Sequence, residues 1–495
     1  MSNHGSISRA SFVKGGLAAG AFTVASTAAP MLALANEPAW DKEADFVVLG
    51  CGACGMVASL AAKEAGATVI TVEKNSSCGG DAIYSHGVVM GNMSKMDLEL
   101  GIEVSDDEVI AEAENGWYLM EQPIEEMSRN IVANARDTLD WLVDHEVVFA
   151  NPEGNMDPTY SDLPIYHQVS GWGTGLLSLC DKVAETVDEL LLETRATGLV
   201  QDGDGKVVGV VCDAPEGQIA IKANKAVILG TGGYNHNNAL VSVFDHRCVG
   251  MKAHGCPTNE GDGLVMAVAA GAASMPSRAE SPTSCLLDMD SVNYASFALA
   301  RDGAICVGTD GKRFMLESSQ LRRINTNMAI EQYVNTQKCG SEYVCFVSCD
   351  SDAVQQTIAN GVTTYQGDTP EELAELLGVD PQGLADEIAH YTEMAKAGKD
   401  EDFGKEEGLF PMEEGPYYGF KITPRLCISS GGILVNTDAQ VLKYRLCNNE
   451  GVALEPIPGL YAGGEIAPYS MHYGYAISSA MTHARLAVKH AMANA

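Results

Sequence analysis

The sequence predicts an α/β chain in which a parallel-sheet domain is interrupted by an inserted α+β domain. Three observations predict it. Residues 45–72 run strand, glycine-rich turn, helix, strand, which is the order of a βαβ unit. From 275 to 412 the pattern breaks into shorter mixed elements. From 425 to 495 it returns to strand, glycine turn and a final helix. The expected division is a leader at 1–35, the first part of the sheet domain at 36–274, the inserted domain at 275–412, and the second part of the sheet domain at 413–495. With 495 residues, 46% of them hydrophobic and 20% charged, the chain has ample side chain for such cores.

Taken in order, residues 1–35 carry Arg9 and Lys14 as their only formal charges, then an Ala- and Gly-rich run, then Ala33-Leu34-Ala35. That is the layout of an export signal, too short and too broken to span a bilayer. Ser8 to Lys14 resembles the twin-arginine pattern S-R-R-x-F-L-K, with Ala10 where the second arginine belongs. The run 45–49 reads as a buried strand, 56–65 as a helix and 67–72 as a second strand. Residues 105–150 have helical spacing, and 176–193 reads as one long amphipathic helix. Two β stretches, 196–200 and 206–211, flank the turn Asp202-Gly203-Asp204-Gly205, and 226–229 is another buried strand. Residues 371–398 read as helical, opened by Thr369-Pro370.

The formal net charge is −35. A chain this acidic repels nucleic acid and anionic lipid, so neither nucleic-acid binding nor membrane insertion is expected. A small dianion would need a local basic clamp.

Gly50-Cys51-Gly52-Ala53-Cys54-Gly55 is G-x-G-x-x-G between a strand and a helix. The first glycine makes the turn, the second lets the backbone approach a pyrophosphate, and the third lets helix and strand pack closely. Glu73 ends the next strand, where an acid holds ribose hydroxyls, and Lys74 follows it. A Rossmann-like dinucleotide site is therefore expected. Further on come Gly79-Gly80-Asp81, Ser85-His86-Gly87, Gly230-Thr231-Gly232-Gly233, Gly261-Asp262-Gly263 and Gly463-Gly464-Glu465.

In that order, these motifs resemble the fumarate reductase/succinate dehydrogenase flavoprotein superfamily, which also contains the ketosteroid dehydrogenases. The resemblance covers nearly the whole chain after the leader. It implies FAD as the cofactor, held without a covalent link, with the inserted domain as a cap over the isoalloxazine. The positions it implies for FAD are Gly50, Gly52, Ala53, Cys54, Gly55, Glu73, Lys74, Gly79, Gly80, Asp81, Ser85, Val200, Gly232, Asp262, Glu465 and Ser478. Asp81 and Ala82 stand where the family pattern has Asn-Ser, and His86 where it has Gly.

The cap signature is present as Gly311-Lys312-Arg313-Phe314 and Glu317, but the proton-donating arginine expected four residues past Glu317 is Leu321, with Arg322 and Arg323 beside it. Arg301 resembles the arginine of the family's proton relay, whose glutamate is replaced by Ala298. The clamp histidine before Gly431-Gly432 is replaced in Cys427-Ile428-Ser429-Ser430, and the clamp arginine after Glu465 is missing. Met471-His472-Tyr473-Gly474 instead resembles the ketosteroid dehydrogenase tail. A dicarboxylate buried without its clamp would cost several kcal/mol per charge. A neutral enone or unsaturated lactone is expected instead. Donors aimed at its carbonyl oxygen are expected among Tyr473, the Gly474 N–H, His472 and Tyr333, and proton donors among Arg301, Arg322 and Tyr333.

The chain has 14 cysteines and no C-x-x-C-H haem motif, so electrons must come from outside, from a membrane-bound donor such as a multihaem cytochrome c. Cys339, Cys345 and Cys349 have spacing that offers three thiolates to a [4Fe-4S] cluster, against the plainer reading of inert buried thiols. A flavoprotein folds around its cofactor before crossing a membrane, which favours the twin-arginine route and a location in the periplasm or on the outer side of the cytoplasmic membrane. Leader, superfamily core, missing clamp and many cysteines together resemble the exported flavoproteins that reduce the lactone of cardenolides such as digoxin. The alternatives are a ketosteroid dehydrogenase, a fumarate-type respiratory reductase and, outside enzymes, a flavin electron carrier.

Overall fold

The computed structural model describes residues 38–494 apart from 117–123, 155–162, 277–283, 290–292, 294–297, 318–328, 331–332, 335–341, 430, 448–450 and 468–474. The leader and its export motif lie outside the described residues. The βαβ unit forms as its pattern predicts: β1 (Lys42–Leu49), α1 (Ala53–Glu64) and β2 (Val69–Val72), with β1 and β2 parallel. Every residue from Phe46 to Leu49 is buried, because Phe46 and Val48 enter one core and Val47 and Leu49 the other. Burial on both faces is what a parallel strand under two layers requires.

Two short strands, β3 (Val88–Met90) and β4 (Tyr166–Gln168), pair antiparallel beside the sheet. Helices α2 (Asp106–Gly116) and α3 (Ile124–Asp144) account for the helical spacing at 105–150. The long helix expected at 176–193 does not form. Helix α4 (Leu177–Thr186) ends where Val187 turns extended, and β5 (Glu189–Leu191) pairs parallel with β2. Sheet pairing to buried Ile70–Val72 outweighs the helical periodicity of Glu189–Leu191, the kind of tertiary override that periodicity alone does not register.

The turn after β6 (Arg195–Gln201) leads into β7 (Val207–Ala214), as expected, but the next strand is far longer than 226–229: β8 runs Gly217–Leu229 and pairs with β7, β1 and β17. The large sheet has the order β16-β17-β8-β1-β2-β5, with β7 and β6 attached through β8. Here β16 is Gln440–Leu446 and β17 is Val452–Ala462. Helix α5 (Asp262–Ala269) packs on it through the core that holds Val47 and Leu49.

A second, antiparallel sheet has the order β10-β14-β12-β11, with β13 on β14. Its strands are β10 (Ser284–Asp288), β11 (Ile305–Val307), β12 (Val344–Cys349), β13 (Tyr365–Gly367) and β14 (Tyr417–Leu426), and a small pair of β9 (Ser274–Pro276) with β15 (Gly431–Ile433) lies where the chain leaves and rejoins the large sheet. The helix expected over 371–398 is two helices, α6 (Pro370–Leu377) and α7 (Pro381–Ala397). Gly378 caps the first in a left-handed conformation, and Asp380 with Pro381 starts the second. The last helix, α8 (Tyr475–Asn494), packs on α1 through Ala480, Ala484 and Ala487. Among the described residues no helix is long and apolar enough to cross a membrane.

Candidate functional site

Three glycines of the first motif divide their work by what surrounds them. Gly50 has φ 88°, and a Cβ there would meet the Gly230 carbonyl oxygen at 2.4 Å. At Gly55 a Cβ would lie 1.8 Å from the Gly50 oxygen, so this glycine lets α1 close on β1. Gly52 differs: the nearest atoms to an added Cβ are 3.8 Å away, in Gly79 and Gly80, and the position faces a cavity. Gly52 is also the residue before α1, whose first turn holds no acid and no side-chain cap. Free N–H groups and the positive end of the helix dipole therefore face an open cradle, which suits a phosphate.

Glu73 is buried and accepts from the backbone N–H of Cys51 at 2.7 Å and of Asn75 at 2.9 Å. It ties the glycine turn to the end of β2. Beyond it, Lys74 Nζ donates to Asp262 at 2.9 Å, and Arg195 grips both Asp262 oxygens.

The cavity, of about 260 Å³, is lined by segments from across the large sheet and by one stretch that follows β14. Of the residues expected at FAD, Gly50, Gly52, Ala53, Cys54, Glu73, Lys74, Gly80, Asp81, Ser85, Gly232, Asp262 and Glu465 line it. Gly55 and Gly79 stand behind the wall, Gly79 against Ile83. Val200 and Ser478 are placed elsewhere. Val200 is buried in a small core with Val211 and Ala220, while Thr194 and Ala196 take the lining positions; a register shift between Ala196 and Gly198 breaks the alternation of β6 between them. The Ser478 hydroxyl accepts from the Met90 N–H at 2.6 Å and so fastens α8 to β3.

Sequence reasoning missed a loop that completes the wall. Asn259 donates from Nδ2 to Asp81 and, at 3.1 Å, to Glu465. The Cys256 N–H donates to the other Asp81 oxygen. Burial pushes the Asp81 carboxyl up to about 6, although those two hydrogen bonds pull it down. His254 stands edge-on to Tyr84, with ring centroids 6.3 Å apart, and burial holds its imidazole below the usual range. The Ser429 hydroxyl accepts from the Tyr234 N–H at 2.6 Å. The signals were local: Asn259 is three residues ahead of Asp262, and Asp81 itself breaks the family pattern. Thr231 Oγ1 is buried on this wall with no hydrogen-bond partner among the described residues. Orphan hydroxyl, open glycine cradle and bare helix N-terminus all fit a bound dinucleotide.

The expected catalytic residues are less gathered. Tyr333 stacks on Phe314 at 3.8 Å, the rings 6° from parallel, against the interior of the second sheet, and it does not line the cavity. Arg301 ends a short helix, Ala298–Arg301. Arg322, His472 and Tyr473 lie outside the described residues. The cap signature forms a buried charge network instead of a substrate contact: Arg313 bonds Glu317 at 2.7 Å and Asp400 at 2.9 Å, with the rings of Tyr391 and Phe403 on the guanidinium.

The cluster reading of the cysteines is not supported. Cys345 and Cys349 are both on β12, four residues apart, which at about 3.3 Å per residue separates them by roughly 13 Å. Cys345 is packed in an apolar core, and burial pushes its thiol up to about 12. Cys339 lies outside the described residues. Among the described residues, no three His, Cys, Asp or Glu side chains are placed to hold a metal ion.

The family model described as FAD binding domain matches residues 45–481. NADH:fumarate oxidoreductase of Klebsiella pneumoniae is 27% identical over 436 residues, covering 86% of this chain and 44% of that protein, so the chain spans less than half of that relative. Urocanate reductase of Eggerthella lenta is 28% identical over 442 residues, covering 87% of this chain and 70% of that protein. Among solved structures, the open conformation of a flavocytochrome c3 fumarate reductase aligns with a TM-score of 0.75 at 26% identity, over 92% of this chain and 79% of that one.

Proposed function

The chain belongs to the FAD binding domain family, and within it we propose an exported FAD-dependent reductase of an activated C=C bond. Its substrate is neutral and largely apolar, an enone or unsaturated lactone of which the cardenolide ring is one example. Relatives named for fumarate and urocanate reduction support the reaction class. The cavity itself carries the reading: its open cradle at Gly52 and the bare N-terminus of α1 suit the pyrophosphate of FAD. The substrate reading rests on the sequence, where Leu321, Cys427-Ile428-Ser429-Ser430 and the residues after Glu465 lack the basic clamp that a buried dicarboxylate needs.

Bound FAD supplies hydride chemistry. The chain's own residues have two remaining tasks: to donate a hydrogen bond to the conjugated carbonyl oxygen, where charge develops, and to deliver a proton to the α-carbon. Tyr473, His472 and the Gly474 N–H are proposed for the first, and Arg301 and Arg322 for the second. Gly52 and the start of α1 hold phosphate, and Glu73 and Glu465 hold hydroxyl groups of the cofactor. Electrons arrive from a membrane-bound donor, a multihaem cytochrome c by chemistry.

Anaerobic turnover with reduced viologen tests this reading on fumarate, an enone steroid, a cardenolide and a cinnamate. Faster reoxidation by the steroid or cardenolide is the expected result. Reoxidation by fumarate alone overturns the substrate, and oxidation of a saturated ketosteroid in preference to any reduction turns the reading to a dehydrogenase.

A further inference from the structure

The four carboxylates of the cavity wall are not equivalent. Glu73 accepts two backbone N–H groups, and Asp262 is gripped by Lys74 and Arg195. Asp81 and Glu465 both accept from one neutral group, the Asn259 amide, whose Nδ2 bonds each of them. Asp81 adds only the Cys256 N–H, and among the described residues no lysine or arginine ion-pairs with it. Its position is also particular. A Cβ on the preceding residue, Gly80, would meet Gly52 Cα at 3.1 Å, so Asp81 is one residue from the open cradle.

We propose that Asp81 takes up a proton when FAD binds, so that the cofactor is held by a neutral acid at this position. The proposal rests on the FAD reading of the cavity. FAD brings a doubly charged pyrophosphate into a cleft whose Asp81 has no counter-ion, and like charges that share a low-dielectric site favour protonation of one of them. The proton comes from solvent, no other bond changes, and the carboxylic O–H becomes a donor for a polar oxygen of the cofactor. Burial already lifts the Asp81 carboxyl to about 6 in the empty cleft, and added negative charge raises it further. The titratable groups that line the cavity with Asp81 are Glu73, Lys74 and Asp262, Cys256 and His254 from the loop before α5, Glu465 from the Gly464–Ile466 turn, Tyr84 and His86 from its own segment, and Cys54 and Cys427. Burial lowers the His254 pKa, Glu73 is held by two backbone N–H groups and Asp262 by Lys74 and Arg195, which leaves Glu465 as the competing carboxylate.

The FAD-loaded full chain is diluted at a series of pH values from about 5 to 8, and released flavin is read by its fluorescence. A second measurement counts protons released with the flavin, using an indicator dye in weakly buffered solution. A one-proton linkage makes the dissociation constant rise by up to about tenfold per pH unit above the free-state pKa. The expected result is that slope in the wild type with a release approaching one proton per flavin near neutral pH, and a flat profile with almost no proton release in Asp81→Asn. A wild-type profile that is flat, or one that Asp81→Asn leaves unchanged, overturns the proposal. A slope lost in Glu465→Gln but kept in Asp81→Asn assigns the proton to Glu465 and also overturns it. Absence of FAD from the wild type at every pH would instead fail the cofactor reading.

Discussion

Two regions of this molecule bury carboxylates, and they do so in opposite ways. In the second sheet's interior, Glu317 and Asp400 are fully buried around Arg313, whose guanidinium reaches both. The Lys405 N–H adds a bond to Asp400, the Cys306 N–H one to Glu317, and Lys405 Nζ donates to the Ala304 carbonyl. Burial opposes ionisation of Asp400, yet its bonds from Arg313 and Lys405 outweigh burial and bring the carboxyl down to about 2. In the cavity, Asp81 has an amide and an N–H but, among the described residues, no cation, and burial wins, lifting it to about 6. The residue type is the same; the partner decides the sign. A paired buried charge fixes structure, whereas an under-compensated one beside a cavity is poised to respond to a ligand.

The sharpest way to separate the two regions is to break each at its centre. Gly52→Val places a side chain in the open cradle without touching protein atoms nearer than 3.8 Å at its Cβ. The expected outcome is complete loss of bound flavin with the circular dichroism spectrum of the FAD-free protein retained. Gly55→Val, whose Cβ would overlap the Gly50 oxygen, is expected to lose the fold as well. Equal behaviour of the two variants would remove the distinction between a ligand-facing and a packing glycine.

Arg313→Met is the corresponding break beside the second sheet. It leaves Glu317 and Asp400 buried without their cation, a change that typically costs about 3–5 kcal/mol. Chemical denaturation should show that loss, while FAD content under native conditions stays near one per chain. A variant that keeps full stability would mean the network contributes specificity without strength.

Stability against pH offers a finer comparison in FAD-free protein. Asp400 has a folded pKa below its unfolded value of about 3.9, so its contribution is present above that value and lost as pH falls from about 4 to 2. Asp81 has a folded pKa above its unfolded value, so its contribution is present at low pH and lost as pH rises from about 4 to 6. Melting temperatures across this range should show both limbs, with Asp400→Asn altering only the acid one and Asp81→Asn only the upper one.

What the sequence made legible follows the same division. The β1–α1–β2 unit, its three glycines and Glu73 were readable because strand, turn, helix and acid are contiguous, and each has a local steric or electrostatic reason. The Asn259 bridge between Asp81 and Glu465 was not, because it joins residues 178 and 206 positions apart through loops without periodicity. Val200 is absent from the cavity lining for a smaller reason: a register shift between Ala196 and Gly198 reverses the alternation of β6, which the sequence pattern does not announce. Gly311-Lys312-Arg313-Phe314 was recognised as a motif, but its spacing could not distinguish a substrate contact from the buried ion network it forms.

The smallest expected effect concerns Tyr333. Tyr333 stacks face to face with Phe314, and Phe at this position keeps that contact. Its ring also abuts Gly308, where an added Cβ would meet the hydroxyl at 2.4 Å, so the hydroxyl end faces packed backbone. Removal of the hydroxyl is therefore expected to change stability by about 1 kcal/mol or less, in the range of a single hydrogen bond. Turnover on the best substrate is expected to fall only a few-fold. Tyr473→Phe, if Tyr473 donates to the carbonyl, should cost about 10²–10³ in turnover, the usual loss for an oxyanion donor. Both variants should retain flavin at wild-type stoichiometry, which separates a substrate effect from a cofactor effect. A loss in Tyr333→Phe as deep as that in Tyr473→Phe would place Tyr333 at the reacting carbonyl. The interior of the second sheet, so far set apart from the cavity by its paired charges, would then have to reach the substrate.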